Sequence, residues 1–426
     1  MNYEATLEFA RRCDEADVLR DFRKRFSMPQ DARGADLIYL AGHSLGLQPL
    51  AARERVLEEL DDWARLGVLG HEGSRRPWIR YHETVAPGLQ YLTGAREGEV
   101  VAMNSLTVNI HLMLATFFRP AGERVKILIE RGAFSSDRHA VTSQLRWHGL
   151  DPEKHLIELA PREGEDLVTT EAIEELLQQR GKEIALVLWP GVQFRTGQSF
   201  DIPRITQAAH RAGCVIGFDL AHSIGNTPLQ LHDADADFAV WCSYKYLNSG
   251  PGAIAGCFIA ERHTSAPGKN RLAGWWGHEL QTRFVMGPQF KAAPGAAGWQ
   301  ISNPPILATA PLLASLELFQ EARMERLRAK SLALTGFLEF LTGRYSGSVQ
   351  RVTPADPEAR GCQLSLRILG GTSRGKRVFD WLSARGVVSD WREPDIIRVA
   401  PVPLYNSFED VFRFGELLGE ALQANP

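Results

Sequence analysis

The sequence predicts an α/β fold, with a large domain on a mostly parallel sheet covered by helices and a smaller α+β domain on its C-terminal side. Three observations carry this. From about residue 60 to 305, short apolar runs alternate with helical patterns, the rhythm of parallel strands joined by helices that cross the sheet. Past the loop at Pro304-Pro305 the texture changes to a Leu-, Glu- and Arg-rich stretch from Ala308 to Gly343. No long linker, low-complexity tract or internal repeat interrupts the chain. The expected division is therefore an N-terminal segment over 1–60, a large domain over 61–305 and a small C-terminal domain over 306–426.

In chain order, Asp36-Leu-Ile-Tyr-Leu-Ala-Gly-His-Ser-Leu-Gly46 is expected to pack across the mouth of a site before a helix runs into the large domain. Lys126-Ile-Leu-Ile-Glu130 reads as a strand, Thr170 to Arg180 as a helix and Ile184-Ala-Leu-Val-Leu-Trp189 as a strand. Asp201 to Gly213 has a capping Asp, an early proline and a terminal glycine, the start and stop signals of a helix. Val215 to Phe218 and Phe238 to Cys242 are the next buried strands. Further on come one long helical stretch from Ala308 to Gly343, a strand from Gln363 to Ile368 and a helix from about Gly375 to Arg385. A strand from Ile396 to Ala400 and a helix from Phe408 close the chain.

With 426 residues, 44% hydrophobic and 23% charged, there is material for a large core. A formal net charge of −3 with both signs interspersed leaves no basic face, so nucleic-acid binding is not expected. Apolar stretches break off well short of the roughly 20 residues that span a bilayer. The first residues are charged and lack an apolar signal core, so a cytoplasmic location with no membrane partner is expected. Cys13, Cys214, Cys242, Cys257 and Cys362 are odd in number, scattered and mostly in apolar strand-like runs, as suits reduced core residues.

The chemistry-bearing pair is Asp219, in Gly217-Phe-Asp-Leu-Ala-His222, and Lys245, in Trp241-Cys-Ser-Tyr-Lys-Tyr-Leu-Asn248. Both follow apolar strands, and ligands of such sheets sit beyond the carboxyl ends of the strands. Either alone is most simply a strand-end or turn residue. Together they suit pyridoxal 5′-phosphate (PLP), because a lysine can hold it as a Schiff base while an acid keeps its pyridine nitrogen protonated. A helix start at Asn104-Ser-Leu-Thr-Val-Asn109 offers a Ser/Thr cap and free N–H groups for a phosphate. Gly132-Ala-Phe-Ser-Ser-Asp137 offers Phe134 to stack on the ring, although a plain cap and a core phenylalanine are the simpler readings of each alone. No G-x-G-x-x-G follows a strand, no G-x-x-x-x-G-K-[ST] occurs, and the His-Glu pairs at 82–83 and 278–279 lack a second histidine. Dinucleotide, nucleotide-phosphate and metal chemistry are therefore not expected.

Longer motifs add to this pair. Ser44-Leu-Gly-Leu-Gln-Pro49, Arg76-Pro-Trp78, Gly274-Trp-Trp-Gly-His-Glu279, Ile301-Ser-Asn-Pro-Pro-Ile306 and Ile397-Arg-Val-Ala-Pro-Val-Pro-Leu-Tyr-Asn-Ser-Phe408 occur with the segments already quoted. Over nearly the whole chain this pattern resembles the kynureninase family, PLP enzymes of fold type I in the class-V aminotransferase group. The resemblance implies a seven-stranded type of sheet and a homodimer with shared active sites. Leu106 and Thr107 would hold the phosphate, Phe134 would cover the ring and Asp137 would lie in the same cofactor-contacting segment. Asp219 would pair with the pyridinium, His222 would lie close by, and Lys245 would carry the cofactor. Tyr244 would reach the phosphate and is the candidate proton relay. Trp275 and Asn303 would approach from the other subunit. Arg398 would grip the substrate α-carboxylate, a task that suits a planar bidentate fork. His71 and Ser302, with Asn303, match the residue types of relatives that favour 3-hydroxykynurenine.

The implied activity is hydrolytic Cβ–Cγ cleavage of L-kynurenine or 3-hydroxy-L-kynurenine to anthranilate or 3-hydroxyanthranilate and L-alanine, in tryptophan catabolism and NAD biosynthesis. This would make the chain a hydrolase acting on carbon–carbon bonds in ketonic substances. Asp219 and Lys245 by themselves would serve transamination or desulfuration equally well. A desulfurase, however, needs an acceptor cysteine on a mobile loop, and four of the five cysteines fall in apparent strands. A scaffold that has lost catalysis and only binds is disfavoured by the joint presence of Asp219, Lys245 and Arg398. Two positions depart from the family. His43 stands where Asn is common, and Pro190 stands where relatives often carry Ser or Thr, so one cofactor contact is missing or supplied by water.

Overall fold

Three sheets organise the computed structural model, which describes residues 2–264 and 270–426. The largest has seven strands in the order Val100–Ala102, Gly256–Ile259, Phe238–Trp241, Val215–Asp219, Ile184–Pro190, Lys126–Glu130 and Leu156–Leu159. Neighbours are parallel except at Gly256–Ile259, which runs antiparallel to both strands beside it. The central strands are apolar along their length because the sheet is covered on both faces. Leu128, Ile216 and Phe218 pack into one core cluster, while Ile127, Ile129 and Leu188 pack into another. Lys126–Glu130 and Thr170–Arg180 form as read. Ile184–Pro190, Val215–Asp219 and Phe238–Trp241 differ from the reading by one residue at an end. Helix Ile202–Arg211 starts on Asp201, whose carboxylate accepts from the Arg204 N–H.

A four-stranded antiparallel sheet (Asp390–Arg392, Ile396–Val399, Leu364–Ile368, Val349–Arg351) shares a second core with helices Met324–Gly343, Thr372–Ser383 and Phe408–Ala424. Ser407 and Asp410 cap the last helix reciprocally. The long helical stretch expected from Ala308 to Gly343 is instead two helices, Ile306–Ala322 and Met324–Gly343. Arg323 between them sits at φ +68°, outside helical space, so the chain changes direction there. The cysteine reading also needs correction. Four are buried as expected, but only Cys257 lies within a strand, and the others of that set stand at or near strand ends.

Ile38–Tyr39 pairs in parallel with Val387–Val388, and Ala41 bridges to Ala400. The segment then reaches Gly46, whose N–H donates to the Tyr244 carbonyl at 2.8 Å. A Cβ on Gly46 would collide with the Lys245 carbonyl and Asn248, so a glycine is what lets this segment lie against the lysine loop. Among the described residues no helix is long and apolar enough to cross a membrane, and no cluster of His, Cys, Asp or Glu could hold a metal ion.

Candidate active site

The carboxyl ends of Lys126–Glu130, Ile184–Pro190 and Val215–Asp219 open into one cavity, the position at which a parallel sheet binds ligands. Eight residues singled out from sequence meet in its walls: Leu106, Thr107, Phe134, Asp137, Asp219, His222, Tyr244 and Lys245.

Helix Leu106–Phe117 presents its start to one end of this cavity. The expected side-chain cap is not made. Ser105 occupies the cap position, yet among the described residues its side chain accepts no capping bond. First-turn N–H groups, which have no partner within a helix, are thus left for an anion. Thr107 Oγ1 and Ser136 Oγ are hydrogen-bonded at 2.6 Å, tying this helix start to that of Ser135–Trp147.

At the other end, Asp219 is buried and accepts from the Ala221 N–H at 2.7 Å. Asp137 lies against it. Burial, then the charge of Asp219, raises Asp137 well above the ordinary carboxylate range. Burial raises Asp219 as well, but Lys245, the Ala221 N–H and Asp137 oppose that. Of the two, Asp137 keeps its proton and Asp219 carries the charge. Asp137 Oδ1 is buried without a partner among the described residues.

Lys245 Nζ lies 3.1 Å from His222 Nε2. Burial first, then Lys245, holds His222 well below its ordinary value, so the ring is neutral and Nε2 can accept from the amine. Phe134 is 40% exposed, which sets aside the core reading of that residue. Its ring stands 5.8 Å from Lys245 Nζ and meets Phe194 edge-on at 5.3 Å. Burial, then Cys242, pushes the Tyr244 phenol up, so it stays a proton donor. A cofactor with an anionic group, a flat cationic ring and a carbonyl fits this arrangement. The free helix start, the buried carboxylate beside an unpaired oxygen, the aromatic wall and the amine each meet one of its parts. Pro190 lines the same cavity and brings no side-chain donor.

Arg398 is 1% exposed and does not itself line this cavity, but its guanidinium carbon is 6.0 Å from the ring centroid of Phe194, which does. Asp390 accepts from its Nε at 2.7 Å and from its Nη2, and the Phe194 carbonyl accepts from Nη1 at 2.7 Å. Burial lowers Arg398 to about 10, which leaves it a cation at neutral pH. Trp275, His71, Ser302 and Asn303 are exposed, and none lines the Lys245 cavity of the same chain. His71 meets Trp78 edge-on at 5.6 Å.

Sequence reasoning missed Phe194, Gln193, Asp390 and Glu130. The first two had a signal, since Gly191-Val-Gln-Phe-Arg-Thr-Gly197 directly follows a parallel strand and so falls at the ligand end. Asp390 is opposite Arg398 in strand register, which spacing alone does not reveal. Glu130 entered only as the last residue of a strand, but it is 5% exposed, and burial lifts its carboxyl to about 8 against a weaker opposing bond from Gln193.

Family models for the kynureninase C-terminal domain and for aminotransferase class-V match residues 327–418 and 81–341. Over 404 residues the chain is 57% identical to a kynureninase of Xanthomonas euvesicatoria pv. vesicatoria (strain 85-10) and 56% identical to one of Xanthomonas axonopodis pv. citri (strain 306). Each match covers 95% of this chain and 95% of the relative. Among solved structures, the cysteine desulfurase CsdA of Escherichia coli superposes with a TM-score of 0.77 at 17% identity, covering 96% of this chain and 99% of that one. A NifS-like protein superposes at 0.68 with 16% identity, covering 91% and 100%. These two likenesses are of fold, a class-V aminotransferase architecture of fold type I.

Proposed function

The chain belongs to the kynureninase family, and on that premise we propose that its cavity cleaves the Cβ–Cγ bond of L-kynurenine or 3-hydroxy-L-kynurenine with water, releasing an anthranilate and L-alanine. The observation that carries the reading is Lys245 within hydrogen-bond distance of neutral His222, in the cavity that also holds the Asp219–Asp137 pair. PLP bound there supplies the electron sink that makes the substrate Cα proton removable. Leu106 and Thr107 would hold its phosphate at the open helix start, and Phe134 would cover its ring. Asp219 stays ionised, because Asp137 keeps the pair's proton, and so retains the proton on the ring nitrogen. Lys245 would hold the cofactor at its carbonyl carbon, and its amine, 3.1 Å from neutral His222, is the base placed to move the proton at Cα. Tyr244, kept protonated, donates toward Cβ. Arg398 orients the α-carboxylate and with it the Cα–H bond.

The same reading assigns Trp275 and Asn303 to the neighbouring subunit's site in a homodimer. It is supported by their exposure and by the apolar surface of Phe284, Val285 and Met286 nearby in sequence, 59%, 72% and 82% exposed. His71 and Ser302 then meet the substrate ring and favour the 3-hydroxy form. Within the division at 1–60, 61–305 and 306–426, the separate seven- and four-stranded sheets support a large and a small domain, although helix Ile306–Ala322 packs on the large sheet's core through Leu312, Leu316 and Phe319. The reading includes a cytoplasmic location. Incubating the PLP-loaded protein with kynurenine tests the function. Anthranilate and alanine should appear in equal amounts, whereas a keto acid without anthranilate would mean transamination and overturn it.

A further inference from the structure

Arg398 is held by a cluster, not by a single partner. Asp390 and Arg398 face each other in register on adjacent antiparallel strands. Asp390 Oδ2 accepts from Arg398 Nε at 2.7 Å, from Arg398 Nη2 and from Arg392 Nε at 2.9 Å. On the other side the Phe194 carbonyl accepts from Arg398 Nη1 at 2.7 Å. Of the five N–H donors of a guanidinium, these bonds use one on each nitrogen and leave one on each terminal nitrogen, enough for a bidentate grip on a carboxylate.

The charges of the cluster do not cancel. Arg392 and Arg398 lie 5.9 and 6.0 Å from the centroid of Phe194, a wall of the Lys245 cavity. His43 is wholly buried with Nε2 3.9 Å from Asp390 Oδ2, too far for a hydrogen bond. Burial, then Arg398, drops His43 to about 3, so it adds no charge. Two cations and one carboxylate leave one positive charge in excess.

We propose that Asp390 and Arg392 complete the substrate-carboxylate site begun by Arg398. Asp390 is a positioning residue that fixes the guanidinium plane, and Arg392 supplies the excess charge that one carboxylate neutralises. This rests on the assignment of Arg398 above. Without Arg392 the remaining Asp390–Arg398 pair is neutral as a unit, and a neutral pair distinguishes a carboxylate from an isosteric carboxamide poorly. Without Asp390 the fork keeps its charge but loses its orientation.

The test compares L-kynurenine with its α-carboxamide on the PLP-loaded enzyme. Arg392→Gln should lower the acid-to-amide ratio of kcat/KM at least tenfold, mainly through KM for the acid, with the bound-cofactor absorbance unchanged. Arg392→Lys should restore most of that ratio, because Arg392 contributes charge and not a fork. Asp390→Asn should depress kcat for the acid more than it raises KM. An Arg392→Gln enzyme that keeps the wild-type ratio within twofold overturns the proposal, whether or not the Asp390 variant folds. Wild-type protein that releases no anthranilate fails the parent reading alone. The ratio of affinities for L-alanine and L-alaninamide, followed by cofactor absorbance, then carries the same test.

Discussion

Asp219 and Asp137 are the same functional group twice, and their surroundings give them different protonation. Burial raises both, but Asp219 has Lys245, the Ala221 N–H and Asp137 to stabilise its charge, whereas Asp137 has the charge of Asp219 against it and only Lys245 in its favour. Asp219→Asn keeps the shape but removes the charge that, in the proposed role, holds the proton on the ring nitrogen, so anthranilate release should slow by roughly 100-fold or more with some cofactor still bound. Asp137→Asn replaces one neutral donor by another, and the loss should stay within about tenfold. Equal losses in the two variants would mean that the charge is assigned to the wrong residue. His71 and Ser302 define a second comparison at this scale. A polar ring pocket leaves buried groups unpaired when the ligand lacks the 3-hydroxyl, at roughly 1–3 kcal/mol. The specificity constant should therefore be higher for 3-hydroxykynurenine, and a His71→Trp, Ser302→Gly variant should lose or reverse that preference. Equal or better use of plain kynurenine by the wild type would remove both residues from the ring pocket.

Strand ends decide what could be read in advance. The central strands were legible because burial on both faces demands unbroken apolar runs, and Asp219 and Lys245 were legible because they follow such runs at the ligand end. Val100–Ala102, three residues long, gave no such signal, and Gly256–Ile259 was visible only as an apolar run around Cys257. The pairing of Ile38–Tyr39 with Val387–Val388 joins opposite ends of the chain, beyond the reach of any local pattern. The helix break at Arg323 was hidden because composition runs through it unchanged, and Asp390 acquires its role only through register. Leu106, Trp275, Asn303 and Arg398 entered through resemblance, not through chemistry visible in one segment. Glu130 shows what burial at a strand end does to a charge. Its carboxyl is raised from 4.5 to about 8, so the folded chain binds that proton more tightly than the unfolded one. Its contribution to stability is full below the unfolded value of 4.5 and is lost as pH rises through about 8. Glu130→Gln should flatten the fall in thermal midpoint across that window. Parallel wild-type and variant curves would show that Glu130 is already ionised in the folded protein.

A single chain brings a cofactor seat together with Lys245, yet it leaves Trp275 49% exposed and does not place Trp275, Asn303, His71 or Ser302 in the cavity wall. Either these residues serve another chain's cavity or they do not serve catalysis. Subunit exchange separates the two. A Lys245→Ala protein lacks the amine but carries intact Trp275 and Asn303. A Trp275→Ala, Asn303→Ala protein carries the amine but lacks both of those side chains. In a twofold dimer with shared sites, a hybrid has one cavity that takes its lysine from the second protein and its Trp275 and Asn303 from the first, while its other cavity lacks all three. Random exchange makes half the dimers hybrid, so an equal mixture of two inactive proteins should recover about a quarter of wild-type activity per site. The recovery should grow with the rate of exchange, followed by mass tags on the two chains. If tagged hybrids form and no activity returns, Trp275 and Asn303 do not complete another chain's cavity, and the shared-site dimer is wrong even though the cofactor site stands.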